Sequence, residues 1–275
     1  MNDRTLAGRT ILMSGGSRGI GLAIAERAAR DGANIALLAK TDQPHPRLEG
    51  TIHTAAEAIE AAGGRALAIV GDVREEESVL QAVATTVETF GGIDIVVNNA
   101  SAIDLSPTRE LAMKKYDLMQ NINCRGSFLL AKASIPHLEA SPWAHVLTLS
   151  PPIDLQPKWA GGHLGYTIAK YGMSLVTIGL AEELKGAGIA ANSLWPRTTI
   201  ATAAVANLLG GEATMRMSRT PEIVADAAHV ILTSDPRQCT GNFFIDEDVL
   251  RDAGVSDFSR YGGPDEDLRV DLFLD

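Results

Sequence analysis

The sequence predicts an α/β fold: a doubly wound, mostly parallel seven-stranded sheet with helices on both faces. Three observations carry this prediction. Short apolar runs alternate with longer segments of helical periodicity, which is the pattern of successive βαβ units. Several runs, such as Ile-Asp-Ile-Val-Val at residues 93–97, are apolar over most of their length, as in strands covered on both faces. The length of 275 residues suits one large domain and is short for two.

The alternation continues without a linker as far as residue 245. The predicted strands are residues 10–14, 34–39, 66–70, 93–97, 145–149, 189–194 and 242–245. The predicted helices are residues 19–30, 51–62, 75–90, 113–138, 166–184 and 221–233. We therefore predict a single domain over residues 1–245 and an acidic C-terminal tail over residues 246–275.

The tail carries most of the negative charge of the chain. The 24 Lys and Arg residues and 34 Asp and Glu residues give a net charge of −10, which excludes the basic footprint of a nucleic-acid-binding protein. Residues 246–275 alone contain ten Asp and Glu residues and three Arg residues. The sequence leaves open whether this tail packs on its own domain, crosses a subunit boundary, or is a partly disordered solubilising segment.

Cysteine usage and the N-terminal sequence indicate the compartment. Cys124 and Cys239 are too few for a disulfide framework and too far apart in the sequence for a zinc site. The first residues lack the apolar segment of a signal peptide, and no run approaches the ~18 apolar residues of a membrane span. We expect a soluble cytoplasmic protein without a metal ion.

Three loops interrupt the alternation, at residues 41–50, 151–165 and 198–219. Each follows a predicted strand, so all three lie at the carboxyl edge of the sheet. An open α/β sheet binds its ligand at that edge.

The first of the predicted strands runs into a glycine-rich turn and then a helix. The turn, residues 14–21, reads Ser-Gly-Gly-Ser-Arg-Gly-Ile-Gly. Small residues let such a turn close and bring backbone N–H groups against a pyrophosphate at the helix N-terminus. The turn therefore predicts a dinucleotide site, and its candidate contacts are Ser14, Gly15, Ser17, Arg18, Gly19, Ile20 and Gly21.

The end of the second strand indicates which dinucleotide is bound. A site selective for NAD places a carboxylate there, whereas a cation accommodates the 2′-phosphate of NADP. This chain has Lys40 at the strand end and Arg18 in the glycine turn, which favours NADP over NAD unless both are ordinary solvated cations. Further candidate contacts follow the third and fourth strands: Asp72, Val73, Asn99 and Ala100.

Tyr166 and Lys170 are candidate catalytic residues. Their i, i+4 spacing places both on one face at the start of a helix. A nearby ammonium favours the phenolate and lowers the tyrosine pKa, so that Tyr166 can exchange a proton with a carbonyl or an alcohol.

These motifs, in this order and approximate spacing, resemble the short-chain dehydrogenases/reductases over about residues 6–246. Strings such as Leu-Ser-Pro-Pro at 149–152 look closer still to the hydroxysteroid dehydrogenase-like branch, whose animal members also carry a sterol-carrier domain. The resemblance implies a Rossmann-type dinucleotide-binding and catalytic domain, with Tyr166 as acid/base. Lys170 would hold the nicotinamide ribose and lower the tyrosine pKa. A homodimer or homotetramer built on helices 113–138 and 166–184 is also implied.

The resemblance extends to three further residues. Asn123 would keep a water for proton relay, or else is a polar kink in the long helix. Pro196 would contact the cofactor. The next residue, Arg197, stands where the family usually has glycine, and the Arg197 cation could meet a cofactor phosphate or an acidic substrate group. Ser150 is the candidate for orienting the substrate carbonyl, although aligning the strand ends without a gap puts Pro151 there. Loss of such a donor can cost ~3 kcal/mol at the barrier.

Two functions follow from these residues. The first is an NADP(H)-dependent oxidoreductase that interconverts a carbonyl and an alcohol on an apolar substrate (a lipid, steroid or acyl-derived compound), because the loops after the strands are rich in apolar residues. The alternative is an NADPH-binding sensor or scaffold with little turnover, which the doubtful serine motivates. Both imply a small-molecule ligand, with no nucleic acid and no membrane span.

Overall fold

A seven-stranded parallel sheet organises the fold in the computed structural model, which describes residues 5–44, 50–208, 211–263 and 267–275. The strand order is β3-β2-β1-β4-β5-β6-β7, and every neighbouring pair is parallel. The strands are β1 Thr10–Ser14, β2 Asn34–Ala39, β3 Arg65–Val70, β4 Ile95–Asn98, β5 His145–Thr148, β6 Ala190–Trp195 and β7 Phe243–Ile245. The predicted fold class is therefore confirmed.

Helices cover both faces of the sheet. They are α1 Gly19–Ala29, α2 Ile52–Ala61, α3 Glu76–Phe90, α4 Met113–Met119, α5 Gly126–Leu138, α6 Pro157–Gly161, α7 Leu164–Glu183, α8 Ala203–Leu208, α9 Gly211–Arg216, α10 Glu222–Leu232 and α11 Asp246–Asp252. Alternate strand residues enter two cores: Ile11 and Met13 pack with α1, α2 and α10, whereas Leu12 packs with α3, α5 and α7. This period-2 division explains why the strands read as continuous apolar runs.

The structure differs from the predicted elements at the long helix and in the loops. A π-helical turn, Gln120–Arg125, divides the predicted helix 113–138 into α4 and α5. The predicted loops 151–165 and 198–219 contain the short helices α6, α8 and α9. Residues 45–49 of the first predicted loop lie outside the described part of the chain.

The described residues of the tail lie on their own domain. Phe258, Tyr261 and Phe273 are all buried. Near the C-terminus, Thr199 donates its backbone N–H to the carbonyl of Arg269 at 2.8 Å. These contacts bring the last residues of the chain alongside the segment that leaves β6, at the carboxyl edge of the sheet.

Across residues 5–44, 50–208, 211–263 and 267–275, no helix combines the length and the apolar character that a membrane span requires.

Candidate active site

Two cavities adjoin at the carboxyl edge of the sheet. The larger, about 760 Å³, is walled by the glycine turn and by the ends of β2, β3 and β4. The smaller, about 190 Å³, is walled by α7, the end of β6 and the tail. Both are lined by the same six residues along their common edge: Ile20, Asn99, Ser101, Ile103, Thr202 and Ala204. A long ligand can therefore extend from the glycine turn to Tyr166.

The glycine turn has the form that a pyrophosphate requires. Gly15 has a φ of +77°, a conformation that other residues rarely adopt. A Cβ at Gly21 would lie 2.7 Å from the Cα of Gly16, so a side chain there would collide with backbone. Arg18 at the N-cap of α1 makes no side-chain capping hydrogen bond, which leaves the N-terminal amides of α1 for a ligand. The residues present therefore fit a dinucleotide phosphate.

Ser14 lies behind this turn. It is buried, and its hydroxyl accepts hydrogen bonds from the backbone N–H groups of Asn99 and Ala100, both at 3.2 Å. Asn99 in turn donates its side-chain amide to the carbonyl of Ser14. The serine therefore braces the loop after β1 against the loop after β4, while Asn99 and Ala100 line the larger cavity.

The ends of β2 and β3 bring cations to the same cavity. Lys40 Nζ lies 3.0 Å from Asp72 Oδ2, and Arg74 binds both oxygens of that carboxylate. Arg74 and then Lys40 hold the pKa of Asp72 well below its usual range, despite partial burial. Arg18 donates to the carbonyl of Gly50 at 2.7 Å and lines the cavity with Lys40, Asp72 and Val73. Arg74 was not among the predicted residues, although its position two residues after Asp72 was a usable signal.

Tyr166 and Lys170 line the smaller cavity from α7, as their spacing predicts. The Tyr166 hydroxyl has no hydrogen-bond partner among the described residues, while Lys170 Nζ donates to the carbonyl of Leu149 at 2.8 Å. Burial lowers the pKa of Lys170 to about 7, opposed by the charge of Asp271.

The expected lowering of the Tyr166 pKa does not appear. Burial raises the pKa of this phenol instead, and the nearby carboxylate of Asp271 raises it further. The physical reason is the tail, which covers the ring and leaves Tyr166 only 5% exposed.

Asn123 lies in the π-helical turn and is completely buried. Its side-chain oxygen accepts from the N–H of Ala102 at 2.7 Å, and its side-chain nitrogen donates to the carbonyl of Ala102 at 3.0 Å. The side chain thus clamps the loop after β4 that forms the edge common to both cavities. A role in proton relay remains a prediction.

Ser150 is not brought to the cavity of Tyr166. Its hydroxyl is fully buried, 2.8 Å from the hydroxyl of Ser193, which donates to Thr177 on α7. Neither Ser150 nor Pro151 lines the smaller cavity, whereas the preceding residue, Leu149, does. The serine has found partners between β5, β6 and α7, and in this geometry it offers no donor to a substrate carbonyl.

The segment after β6 places Pro196 and Arg197 in different surroundings. Pro196 lines the smaller cavity, as a cofactor contact would. The Arg197 guanidinium, however, binds Asp248 at 2.6 Å, and the Arg197 backbone N–H donates to Asp246 at 2.8 Å. Arg197 therefore holds α11 in this structure, and a contact of its cation with a cofactor phosphate or a substrate acid stays a prediction.

The tail supplies site residues that sequence reasoning missed. Asp271 and Leu272 line the smaller cavity, and Trp195 donates its indole N–H to the carbonyl of Leu272 at 2.9 Å. Phe273 is 2% exposed and has a ring centroid 6.1 Å from that of Tyr166. Four further rings surround it, those of Trp159, His163, Tyr171 and Trp195. The apolar residues of the tail were visible in the sequence, but nothing there indicated that they return to Tyr166.

The site combines a glycine turn, a parallel sheet and a paired tyrosine and lysine, which is typical of dinucleotide-dependent oxidoreductases. The matches to known proteins agree with this class. A family model described as short chain dehydrogenase matches residues 9–212. The chain belongs to this family of oxidoreductases, whose members bind NAD or NADP.

Curated relatives from the predicted branch match the whole chain. Hydroxysteroid dehydrogenase-like protein 2 of Xenopus tropicalis is 54% identical over all 275 residues, and that of Homo sapiens is 52% identical. The chain spans 65% of the length of each of these relatives. The predicted resemblance to this branch is thereby confirmed.

Solved structures show the same fold. A short chain dehydrogenase from Mycobacterium thermoresistibile is 56% identical, with a TM-score of 0.93 over 98% of this chain and 96% of that one. A short chain dehydrogenase from Burkholderia cenocepacia in complex with NADP is 27% identical, with a TM-score of 0.74 over 87% of this chain and 96% of that one.

Proposed function

We propose that the protein is an NADP(H)-dependent oxidoreductase that interconverts a carbonyl and an alcohol on an apolar substrate, with Tyr166 as the acid/base. One observation carries the proposal: Tyr166 and Lys170 share a small cavity that adjoins the groove beside the glycine turn. When bound, the cofactor supplies or accepts the hydride at the substrate carbon. The chain itself has to bind the cofactor, orient the carbonyl and exchange one proton at its oxygen.

Tyr166 is suited to giving that proton. Burial raises the pKa of the phenol, so the side chain stays protonated across the physiological range and acts as the acid in carbonyl reduction. Lys170 lies one helical turn further along α7, where its ammonium can hold a ribose hydroxyl.

The preference for NADP rests on the cations of the larger cavity. Lys40 and Arg18 line this cavity. Arg74 binds the same Asp72 carboxylate as Lys40, so a 2′-phosphate would meet positive charge. Asp72, the carboxylate at this edge, is already engaged by Lys40 and Arg74 and is less available to a free ribose 2′-hydroxyl. The Burkholderia cenocepacia relative is described in complex with NADP, which supports the same choice. NAD is the less favoured cofactor.

An apolar substrate fits the wall of the smaller cavity. That wall consists largely of apolar side chains: Ile20, Ile103, Leu149, Trp195, Ile200, Val205 and Leu272. Burial of apolar surface on such a wall stabilises a bound ligand by about 25 cal/mol per Å². The relatives named for hydroxysteroids support a lipid, steroid or acyl-derived carbonyl.

The test is a screen of apolar ketones against the purified protein, with NADPH oxidation followed by absorbance. We expect turnover of at least one ketone, and loss of turnover in Tyr166→Phe with unchanged NADPH affinity. Tyr171→Phe is the matched control, because Tyr171 also lies on α7 but donates its hydroxyl to the carbonyl of Asp154. Equal turnover in wild type and Tyr166→Phe would refute the role of Tyr166.

A second function, an NADPH-binding sensor or scaffold, is favoured by the position of Ser150. Because this hydroxyl is committed to Ser193, the site lacks the serine that would orient a carbonyl. This function expects tight NADPH binding and no turnover of any ketone in the screen. The ketone screen therefore distinguishes the two functions, because only the oxidoreductase would turn over a ketone.

We also propose a homo-oligomer, since α5 and α7 expose apolar side chains. Leu164, Ile168, Leu175 and Ile178 share one face of α7 and are 39–61% exposed, and Phe128 on α5 is 51% exposed. Light scattering at micromolar concentration would show a dimer or tetramer. A monomer would refute the proposal.

A further inference from the structure

Asp271 lies in a segment whose backbone is fixed beside β6. Its N–H donates to the carbonyl of Arg197 at 3.0 Å. Close by, the carbonyl of Arg269 accepts from the backbone N–H of Thr199, and the carbonyl of Leu272 accepts from the indole N–H of Trp195. Two residues further on, Phe273 is buried among five aromatic rings. The carboxyl group is therefore held at one place in the wall of the site.

That carboxyl group has unused hydrogen-bonding capacity. One oxygen, Oδ1, accepts from the N–H of Leu272 at 2.8 Å. The other has no hydrogen-bond partner within the described ranges of the chain, and Asp271 lines the same cavity as Tyr166 and Lys170. A ligand oxygen next to Tyr166 could thus meet the free side of this group.

The other polar side chains around the cavity are less well placed for a substrate oxygen. Lys170 donates to the carbonyl of Leu149, and the hydroxyl of Thr199 is paired with that of Ser218 at 2.7 Å. Ser101 and Thr202 belong to the edge common to both cavities, on the side of the dinucleotide groove. Asp271 lines only the smaller cavity.

We propose that Asp271, as a carboxylic acid, donates a hydrogen bond to the substrate carbonyl oxygen and so performs the task that Ser150 does not. This inference rests on the proposed function. During reduction the carbonyl carbon accepts the hydride, the oxygen takes its proton from Tyr166, and Asp271 keeps its own proton. Its hydrogen bond strengthens as negative charge develops on that oxygen.

The surroundings of Asp271 support a protonated form. Burial raises the pKa of Asp271 to about 7, although the Leu272 amide and the charges of Lys170 and Arg269 lower it. The titratable groups that face it are Tyr166 and Lys170 on α7 and Arg269 on its own segment; the Arg197 side chain next to it is bound to α11.

Two substitutions separate a hydrogen-bond donor from a structural residue. Asp271→Asn keeps a donor and nearly the same shape, whereas Asp271→Leu removes the donor. With a ketone from the screen, we expect kcat to fall about 100-fold in Asp271→Leu, as for loss of an oxyanion donor, and to be largely retained in Asp271→Asn. NADPH affinity should be unchanged in both. The same two substitutions at Asp275, whose carboxylate pairs with Lys158 at the surface, are the matched control.

The hydrogen bond is also visible without turnover. In the complex of the protein with NADP⁺ and ¹³C-carbonyl cyclohexanone, we expect the infrared carbonyl band to move to lower wavenumber in wild type and Asp271→Asn. The displacement should be smaller in Asp271→Leu. This readout does not depend on protein stability, which a purely structural role would change instead.

The outcomes distinguish the two proposals. If no ketone is reduced but the carbonyl displacement depends on Asp271, the proposed function fails, and what stands is only that Asp271 donates a hydrogen bond to a bound carbonyl. If ketones are reduced equally well by wild type and Asp271→Leu, the proposed function stands and the assignment is overturned. A carbonyl band that is the same in wild type and Asp271→Leu also overturns it.

Discussion

Phe273 is the side chain on which docking of the tail over Tyr166 depends most directly, and Phe273→Ala tests this. The ring is 2% exposed and packs against five aromatic rings at centroid distances of 5.3–6.1 Å. Truncation of a buried Phe to Ala costs about 3–5 kcal/mol. The φ of Phe273 is +72°, a left-handed conformation that costs about 1–2 kcal/mol and that the ring contacts have to offset.

This loss should appear as undocking of the tail and not as unfolding of the domain. All the described strands and α-helices lie before residue 253, so they keep their other contacts when residues 267–275 leave. A loss of 3–5 kcal/mol corresponds to a decrease of roughly 100- to 5,000-fold in the hydrogen-exchange protection of the tail amides. The amides to follow are those of Arg269, Asp271 and Leu272, which donate to Met217, Arg197 and the side chain of Asp271.

Phe258→Ala is the control for this experiment. Phe258 is also a buried tail phenylalanine, but it packs against Tyr261 and lies away from Tyr166. It should lower the free energy of unfolding without exposing Tyr166. Protection of the Asp271 amide that is unchanged in Phe273→Ala would refute the reasoning that the aromatic cluster holds the tail.

Three further predictions follow from other contacts. Lys40→Ala should weaken NADPH binding by about 10- to 100-fold, as for loss of a hydrogen bond to a charged group, and should leave NADH binding unchanged. Fluorescence titrations in which NADPH and NADH lose affinity equally would contradict a contact between Lys40 and the 2′-phosphate. Burial raises the pKa of Asp246 to about 7, above its value in the unfolded chain. The contribution of the protonated Asp246 side chain to the free energy of unfolding is therefore present below pH 4 and is lost as the pH rises through 7. Urea unfolding should therefore show a smaller decrease between pH 5 and pH 8 in Asp246→Asn than in wild type, and parallel curves would oppose this. Leu175→Glu on the exposed face of α7 should convert an oligomer to a monomer in light scattering, while Leu80→Glu on α3, a similarly exposed position, should not.

The sheet could be predicted from the sequence because its signal is local. Each strand is a short apolar run, and the glycine turn follows directly on β1, so neighbouring residues carry the information. The same holds for Tyr166 and Lys170, whose spacing on one helix places both in the smaller cavity. These features needed no knowledge of which distant segments meet.

The packing of the tail over Tyr166 could not be predicted because it depends on contacts between residues far apart in the sequence. Phe273 and Tyr166 are more than a hundred residues apart in the sequence, and an acidic tail resembles a solvated segment until its few apolar residues find a cluster. The raised pKa of Tyr166 is a consequence of that cover. Ser150 illustrates the same limit, since its commitment to Ser193 depends on the register of β5 and β6.

The proposed carbonyl reduction is tested most directly by the transfer of deuterium to an apolar ketone from NADPH labelled at the transferable position of the nicotinamide. We expect the product alcohol to carry one deuterium at its carbinol carbon when wild-type protein is used, and none above background with Tyr166→Phe. Mass spectrometry of the product measures this directly. Protein that binds labelled NADPH tightly but transfers no deuterium to any ketone would contradict the oxidoreductase function and favour the sensor function.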